Sequence, residues 1–349
     1  MKKILITLSG VILLAGGYAA LKLFRPAIDN NEGIYFYINE GETLSGVKEE
    51  LKNRKLLKGG GFDLASTILR FKTPKPGRYL LKDGINALKL VRMLRNGEQS
   101  PVRITVVKER TKELFSGKFG AGKKFDLRFD SLQMIQYLSN NDSLVKFGVD
   151  TNTVLSIIIP DTYHHNWNSS PGKMMQQFYT AYKKFWNPER TAKAAGQGLT
   201  PREVMILASI VEEETNRKQD KFNIASVYIN RLKKGMRLQA DPTVKFVTRN
   251  FQLGRITGSH LQLESPYNTY LNAGLPPGPI CTPSIESIDA VLDAPLTDYL
   301  FFVASYTFDG SSIFTSNLTD HNKYARLFHQ EQNRRADSIR KLKETPAAK

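Results

Sequence analysis

The sequence predicts an α+β chain in which a membrane-spanning N-terminal helix leads into a small βααβ unit and then into a larger, loop-rich α+β domain. Three observations carry that class. An uncharged run of 18 residues, Ile4 to Leu21, stands behind Lys2 and Lys3. A strand–helix–helix–strand alternation fills residues 34–81. From Ile157 onward, helical periodicities are separated by proline- and glycine-rich stretches.

The apolar run is long enough to cross a bilayer, near the short end of the range. Lysines ahead of it favour a cytoplasmic N-terminus and export of everything after it. A cleaved signal peptide is the competing reading, because Ala15-Gly16-Gly17 and Ala19-Ala20 are small enough for a peptidase. A typical signal h-region is only about 7–15 residues, so a retained anchor over residues 1–25 is the expectation. Residues 26–33 read as a short polar linker.

Ile34–Ile38 has strand composition, and Thr43 offers a cap to a helix whose Leu44, Val47 and Leu51 share a face. Gly59-Gly60-Gly61 breaks that helix. A second one carries Phe62, Ala65, Ile68 and Leu69 and ends before Pro74, and Gly77–Leu81 returns as a strand. A helix follows over about 86–96, then a strand over 102–107. Residues 108–150 lack periodicity. Within them Gly117–Lys124 fits phosphate-loop spacing, but Lys124 stands where Ser or Thr would bind magnesium and no apolar strand precedes it. A flexible basic loop is expected there.

Ile157–Pro160 reads as a buried strand and 171–186 as an amphipathic helix. Thr200-Pro201-Arg202-Glu203 is a capping box with proline at the first helical position. A further helix runs over 221–234 and stops at Gly235. Met236–Val244 reads as an extended loop, and a basic tail after 326 reads as a terminal helix fraying at Thr345–Lys349.

The charge is uneven: 50 Lys+Arg against 33 Asp+Glu give a formal +17 over 349 residues. That excess suits a polyanion, an anionic membrane or an acidic polymer. Export removes nucleic acid from the choice. One cysteine excludes a disulfide framework, and five histidines leave little material for a metal site.

The candidate chemistry lies at the end of the helix after Thr200. Glu212, Glu213 and Glu214 follow an apolar run at a helix C-terminus, where the dipole disfavours negative charge. With Val204, Leu207, Ala208 and Val211 defining the buried face, Glu213 points away and is expected to be solvated. Glu212 and Glu214 flank the buried face on opposite sides. Either, if half-buried, would have a raised pKa suited to proton donation; periodicity favours Glu214 as the deeper and does not choose the catalytic one. Ser265–Tyr270 interleaves two tyrosines with amide and hydroxyl groups suited to sugar rings. Gly274–Pro283 is a stiff loop of the kind that holds sites.

These segments resemble, in order, the endolytic murein transglycosylases of the MltG or YceG-like family. The blocks are Leu207–Thr215, Ala225–Leu232, Met236–Val244, Tyr267–Tyr270 and Gly274–Ile280, with Pro160–Tyr163 upstream and Thr319–Asn322 downstream. The likeness covers roughly residues 34–330. The small βααβ unit also resembles a LysM module at Tyr37–Leu44. The resemblance implies cleavage of the N-acetylmuramic acid–β-1,4–N-acetylglucosamine bond inside peptidoglycan strands, leaving 1,6-anhydro ends, with one carboxyl serving as acid and then base. It places the catalytic glutamate on Glu212, with Glu214 in a supporting role, and Gln239, Asp241, Thr243, Tyr267, Asn268 and Tyr270 along the glycan groove. It implies neither metal nor organic cofactor. The implied partners are glycan strands, the cytoplasmic membrane and cell-wall synthases, with a role in ending strand elongation near the membrane. A catalytically inactive peptidoglycan-binding scaffold is the alternative, and an ordinary hydrolase would need Asp241 as a second carboxylate. The expected divisions are an anchor (1–25), a LysM-like domain (33–105), a connecting segment (106–150), a catalytic domain (151–332) and a basic tail (333–349). Three departures stand out. Ala240 replaces the family's threonine, Leu155–Ile159 lacks the usual Glu-Gly and aromatics, and Val106–Glu109 lacks the Pro-Glu-Gly turn.

Overall fold

The computed structural model describes residues 2–28 and 32–344. The chain forms two compact units. Residues 1–104, 118–130 and 163–170 make the smaller, and residues 105–117, 131–162 and 171–349 the larger. The stretch 106–150 is thus shared between them.

The small unit contains α1 (Lys2–Phe24), β1 (Ile34–Ile38), α2 (Leu44–Asn53), α3 (Gly61–Ile68), β2 (Gly77–Leu81) and α4 (Ala87–Asn96). A second two-stranded sheet is formed by β3 (Val102–Thr105) and β4 (Thr162–His165). β1 and β2 pair antiparallel with Phe36 opposite Tyr79. Their inward side chains meet Val47, Leu51, Phe62 and Leu90 in one buried cluster. Thr43 caps α2 by accepting from the Gly46 amide, and Asn86 caps α4 by accepting from Lys89. The strand–helix–helix–strand order agrees with the reading from periodicity.

Three expectations are corrected here. Of the anticipated linker, residues 29–31 lie outside the described residues, while Ala27 and Ile28 are buried in the core rather than solvated. Ala27 donates to the Ile85 carbonyl at 2.8 Å and accepts from the Lys58 amide at 2.8 Å. Residues 117–124 are closed by hydrogen bonds between Gly120 and Phe125 and between Phe125 and Lys118, over a buried Phe119–Phe125–Phe129 cluster. The aromatics flanking the glycines order the loop. Finally, no strand forms at 157–160. A 3₁₀ turn covers Val154–Ile157 and the strand comes later, as β4. A short apolar run reads alike for a strand and for a buried turn.

The large unit is mostly helical. It contains α5 (Lys112–Ser116), α6 (Ser131–Leu138), α7 (Asn141–Leu144), α8 (Pro171–Phe185), α9 (Pro188–Gly196), α10 (Pro201–Glu214), α11 (Lys218–Lys233), α12 (Asp241–Thr248), α13 (Gly258–Leu261) and α14 (Ile285–Leu292). A hairpin of β5 (Phe301–Ala304) and β6 (Ser312–Thr315) pairs Phe302 with Phe314, and α15 (Leu318–Glu344) follows. The frayed end expected at Thr345–Lys349 lies outside the described residues.

α10 is the central helix. Thr200 and Glu203 form the capping box with Pro201 in the first turn. Every residue from Val204 to Val211 is buried, not just the predicted face. A helix apolar all round must be surrounded; α11, α12 and α14 pack on it. Met236–Val244 is not extended throughout: α12 begins at Asp241 with Pro242 in its first turn. Proline there pre-sets the helical φ, so the Asp-Pro pair marks a helix start rather than a loop.

Gly61 tests how α1 joins the small unit. A Cβ at this position would collide with the Lys22 carbonyl and come within 3.0 Å of the Ala87 methyl. Gly61→Ala should therefore destabilise the small unit by about 1–3 kcal/mol, read by thermal unfolding. Gly60→Ala, which meets only the flexible Lys22 ammonium, should not. Equal melting of the two variants would contradict this packing.

Candidate active site

Three consecutive carboxylates close α10, where unsatisfied carbonyls already make the field negative. The fold disperses them. Glu212 accepts from the Ser284 and Ser287 hydroxyls, each at 2.5 Å, with the Lys221 ammonium 3.4 Å away and Lys108 at 3.9 Å. Ser284 is the N-cap of α14, so the positive end of that helix faces the carboxylate. Burial alone would push the Glu212 pKa up; the two hydroxyls and the two ammoniums outweigh it and hold Glu212 below the ordinary carboxylate range.

Glu213 is not solvated. Arg110 grips it with two nitrogens at 3.1 and 3.0 Å, and Lys108 lies 3.3 Å away. The helical wheel places Glu213 opposite its own helix's apolar face. It carries no information about the segment at 105–117 that covers that side.

Glu214 goes the other way. It accepts a 2.5 Å hydrogen bond from the Tyr228 hydroxyl, and burial raises its pKa to about 7, assisted by the charge of Asp241 and opposed by the Tyr228 bond. It lines a cavity of about 340 Å³ with Arg231, Gln239, Asp241, Tyr270, Phe301 and His321. Asp241 accepts from the Tyr270 hydroxyl at 2.6 Å. Arg231 is buried, donating to the Leu238 and Leu300 carbonyls at 2.7 Å each. Gln239 projects from a left-handed backbone at φ 50°, a conformation rare outside glycine and often found at functional sites. The arrangement offers a proton-carrying carboxyl, a fixed cation, a second carboxylate and exposed amide and hydroxyl groups on one wall.

The profile of the YceG-like family matches residues 36–327. This chain belongs to the YceG-like family. It is 42% identical over 130 residues to an endolytic murein transglycosylase of Bacillus subtilis, spanning 37% of this chain and 35% of that one. It is 26% identical over 344 residues to the Streptococcus pneumoniae D39 protein of the same name, spanning 89% of this chain and 62% of that one. The matches therefore span less than two thirds of either relative's own length. A crystal structure of a YceG-like protein from Listeria monocytogenes superposes with a TM-score of 0.53 at 24% identity, covering 84% of this chain and 99% of that one. That likeness concerns the fold.

In this YceG-like chain Gln239, Asp241, Tyr270 and Glu214 share one cavity. Glu212 does not line it. Thr243 is fully buried, donating to the Ala240 carbonyl at 2.7 Å and lying 2.9 Å from the Thr269 hydroxyl. Asn268 is fully buried as well, its amide hydrogens on the Leu261 and Leu263 carbonyls and its oxygen on the Tyr270 amide. These two side chains shape the loops and do not face the cavity. Tyr267 lies in a separate cavity of about 190 Å³ beside Arg110 and Arg249, packed on Phe246 at 4.8 Å. At position 240 the alanine methyl is buried without solvent contact. Tyr228, Arg231 and His321 lie within the resembling blocks Ala225–Leu232 and Thr319–Asn322, but the motifs assign them no site role. The available signal was polar groups on the otherwise apolar face of α11, where Tyr228 and Arg231 sit three residues apart.

The two outer glutamates should affect stability with opposite pH dependence. Glu212 titrates below its unfolded value, so its contribution is present at neutral pH and fades as pH falls through the native pKa. Glu212→Gln should cost about 1–3 kcal/mol at pH 7 and progressively less in acid. Glu214 titrates above its unfolded value, so the wild type loses stability as pH rises from the ordinary carboxylate range through about 7. Glu214→Gln should accordingly be the more stable protein above that range and no more stable in acid. Denaturant melts across pH check both; parallel curves for the two variants would contradict the assignment.

Proposed function

We propose that this YceG-like chain is an endolytic peptidoglycan lytic transglycosylase, with Glu214 as its acid and base. The observation that carries the reading is the cavity in which a carboxyl raised to about 7 shares a wall with Asp241, Arg231, Gln239 and Tyr270. A general acid must hold its proton near the working pH. Glu212, ion-paired and hydrogen-bonded as an anion, is poorly suited to that task, although the motif resemblance pointed to it. Its place at the N-terminus of α14 supports a role in fixing the end of α10.

In the proposed reaction Glu214 passes its proton to the glycosidic oxygen between N-acetylmuramic acid and N-acetylglucosamine. The C1–O4 bond breaks and positive charge gathers on the muramyl ring, where the Asp241 carboxylate is the available counter-charge. The Glu214 carboxylate then takes the proton of the ring's own C6 hydroxyl, whose oxygen closes on C1. Glu214 ends protonated, no water is consumed, and the new end is 1,6-anhydro. One acid–base carboxyl suffices, unlike the paired carboxylates of glycoside hydrolases.

The apolar helix Thr7–Phe24 supports single-pass membrane attachment with both units on the outer side. The βααβ topology of the small unit supports a LysM-like glycan-binding role over residues 33–105. The catalytic role belongs to 151–332, with 106–150 connecting and the tail after 333 peripheral. The envelope location favours nascent strands as substrate, strand termination as outcome and cell-wall synthases as partners.

The test is incubation of the full chain, in detergent, with purified peptidoglycan and identification of the new ends by mass spectrometry. Anhydro-muramyl ends are expected. Glu214→Gln should lower the rate by about 10²–10⁴-fold, whereas Glu212→Gln should keep most of it at temperatures where it is folded. The rate should fall as pH rises through about 7, because the acid form is lost. Reducing ends would instead identify a hydrolase using Asp241, and binding without cleavage would identify the scaffold.

A further inference from the structure

The membrane helix runs into the core of the small unit without a spacer. α1 packs on α3 and α4. Leu23, Ala27 and Ile28 belong to the same buried cluster as Phe62, Ala87 and Leu90. Short bridges tie Pro26 to Asn86 and Ile28 to Leu57. Gly61 leaves no room for a side chain between α3 and the Lys22 carbonyl. Farther back, Leu8, Val11, Ile12, Leu13 and Leu14 are each at least 60% exposed, as lipid-facing side chains would be.

At about 1.5 Å per residue, the 18 residues of Thr7–Phe24 span about 27 Å, close to the hydrocarbon thickness. The helix therefore leaves the apolar layer where it meets α3 and α4, and the segments around that junction lie at headgroup depth. Those segments are residues 22–28, 55–61 and 82–89. They carry Lys22, Arg25, Lys55, Lys58, Lys82 and Lys89, against one acid, Asp83. Five of the six cations are exposed, and the half-buried Lys22 lies 4.6 Å from the ring of Tyr18, an aromatic–cation pair typical of interfaces. The next acid on α3, Asp63, is paired with Lys48.

We propose that this basic collar is a lipid-docking face, seating the small unit on the anionic phospholipid headgroups around its own anchor. The proposal rests on α1 being a retained membrane helix. A spacer would let the unit drift from the surface. With the junction folded into the core, every cation of the collar stays within the reach of unscreened attraction, about 10 Å at moderate salt.

The test uses the full chain in vesicles of phosphatidylcholine alone, or of equal parts phosphatidylcholine and phosphatidylglycerol, doped with a headgroup-quenching lipid. A fluorophore is placed on Gly60→Cys, or on Glu98→Cys beyond the far end of the 10-residue α4, about 15 Å away. The native Cys281 is fully buried and its thiol pKa is pushed well up by that burial, so it reacts slowly with the label. Quenching at residue 60 should exceed that at 98, increase with phosphatidylglycerol, and fall when Lys55, Lys58, Lys82 and Lys89 are all replaced by glutamine. Co-flotation with the vesicles reports the anchor independently. A chain that floats but shows equal quenching at 60 and 98, or quenching indifferent to lipid charge and to the four substitutions, overturns the docking face and leaves the anchor standing. A chain that does not float overturns both.

Discussion

The large unit is organised around an electrostatic problem at the end of α10. A helix C-terminus presents bare carbonyls, and this one adds three carboxylates in succession. Left together they would repel one another and the helix end. Each is instead assigned a different compensation. The amino end of α14 and Lys221 take Glu212, the Arg110 and Lys108 cations take Glu213, and the Tyr228 hydroxyl takes Glu214. Because those partners come from α11, α14 and the segment before α5, satisfying the carboxylates also fixes where these elements pack against the central helix.

The consequence is chemical. Two of the three glutamates are ion-paired. The third has one neutral donor in direct contact, and its burial, with a neighbouring carboxylate, outweighs that bond and the more distant charges of Lys245 and Arg231, so its proton affinity rises. Glu212 and Glu214 are two residues apart, yet the fold gives them opposite proton affinities. Proton donation needs one environment and helix-end anchoring needs the other. The rim of the cavity is built by residues that do not touch it, since buried Thr243 and Asn268 hold the turns that present Gln239, Asp241 and Tyr270.

Much of this organisation is legible in the sequence where it is local. Thr200-Pro201-Arg202-Glu203 announces the start of α10 because both halves of the capping box lie within four residues. The spacing of Ala87, Leu90, Val91 and Leu94 marks α4 for the same reason. What is not legible is non-local. Ser284 and Ser287 lie 72 and 75 residues from Glu212, and Arg110 lies 103 residues from Glu213. No helical wheel contains them, so periodicity turns Glu213 toward solvent and, although it sets Glu214 deeper than Glu212, does not choose between them for chemistry. Motif order picks out segments that contribute Glu214, Gln239, Asp241 and Tyr270 to one cavity, but Thr243, Asn268 and Tyr267 show that membership in a motif does not separate side chains that line that cavity from those that do not. Likewise, polar composition suggested a linker at 26–33, although Ala27 and Ile28 are core residues.

The sorting of charge at the end of α10 is the claim on which the account turns, and direct titration reads it. The measurement is carboxyl ¹³C chemical shift against pH in glutamate-labelled full chain, with the two signals assigned by their absence from Glu212→Gln and Glu214→Gln. The account predicts a Glu214 signal with its midpoint near 7 and a Glu212 signal with its midpoint below the ordinary carboxylate range. The reverse order, or two coincident midpoints in the ordinary range, would contradict it.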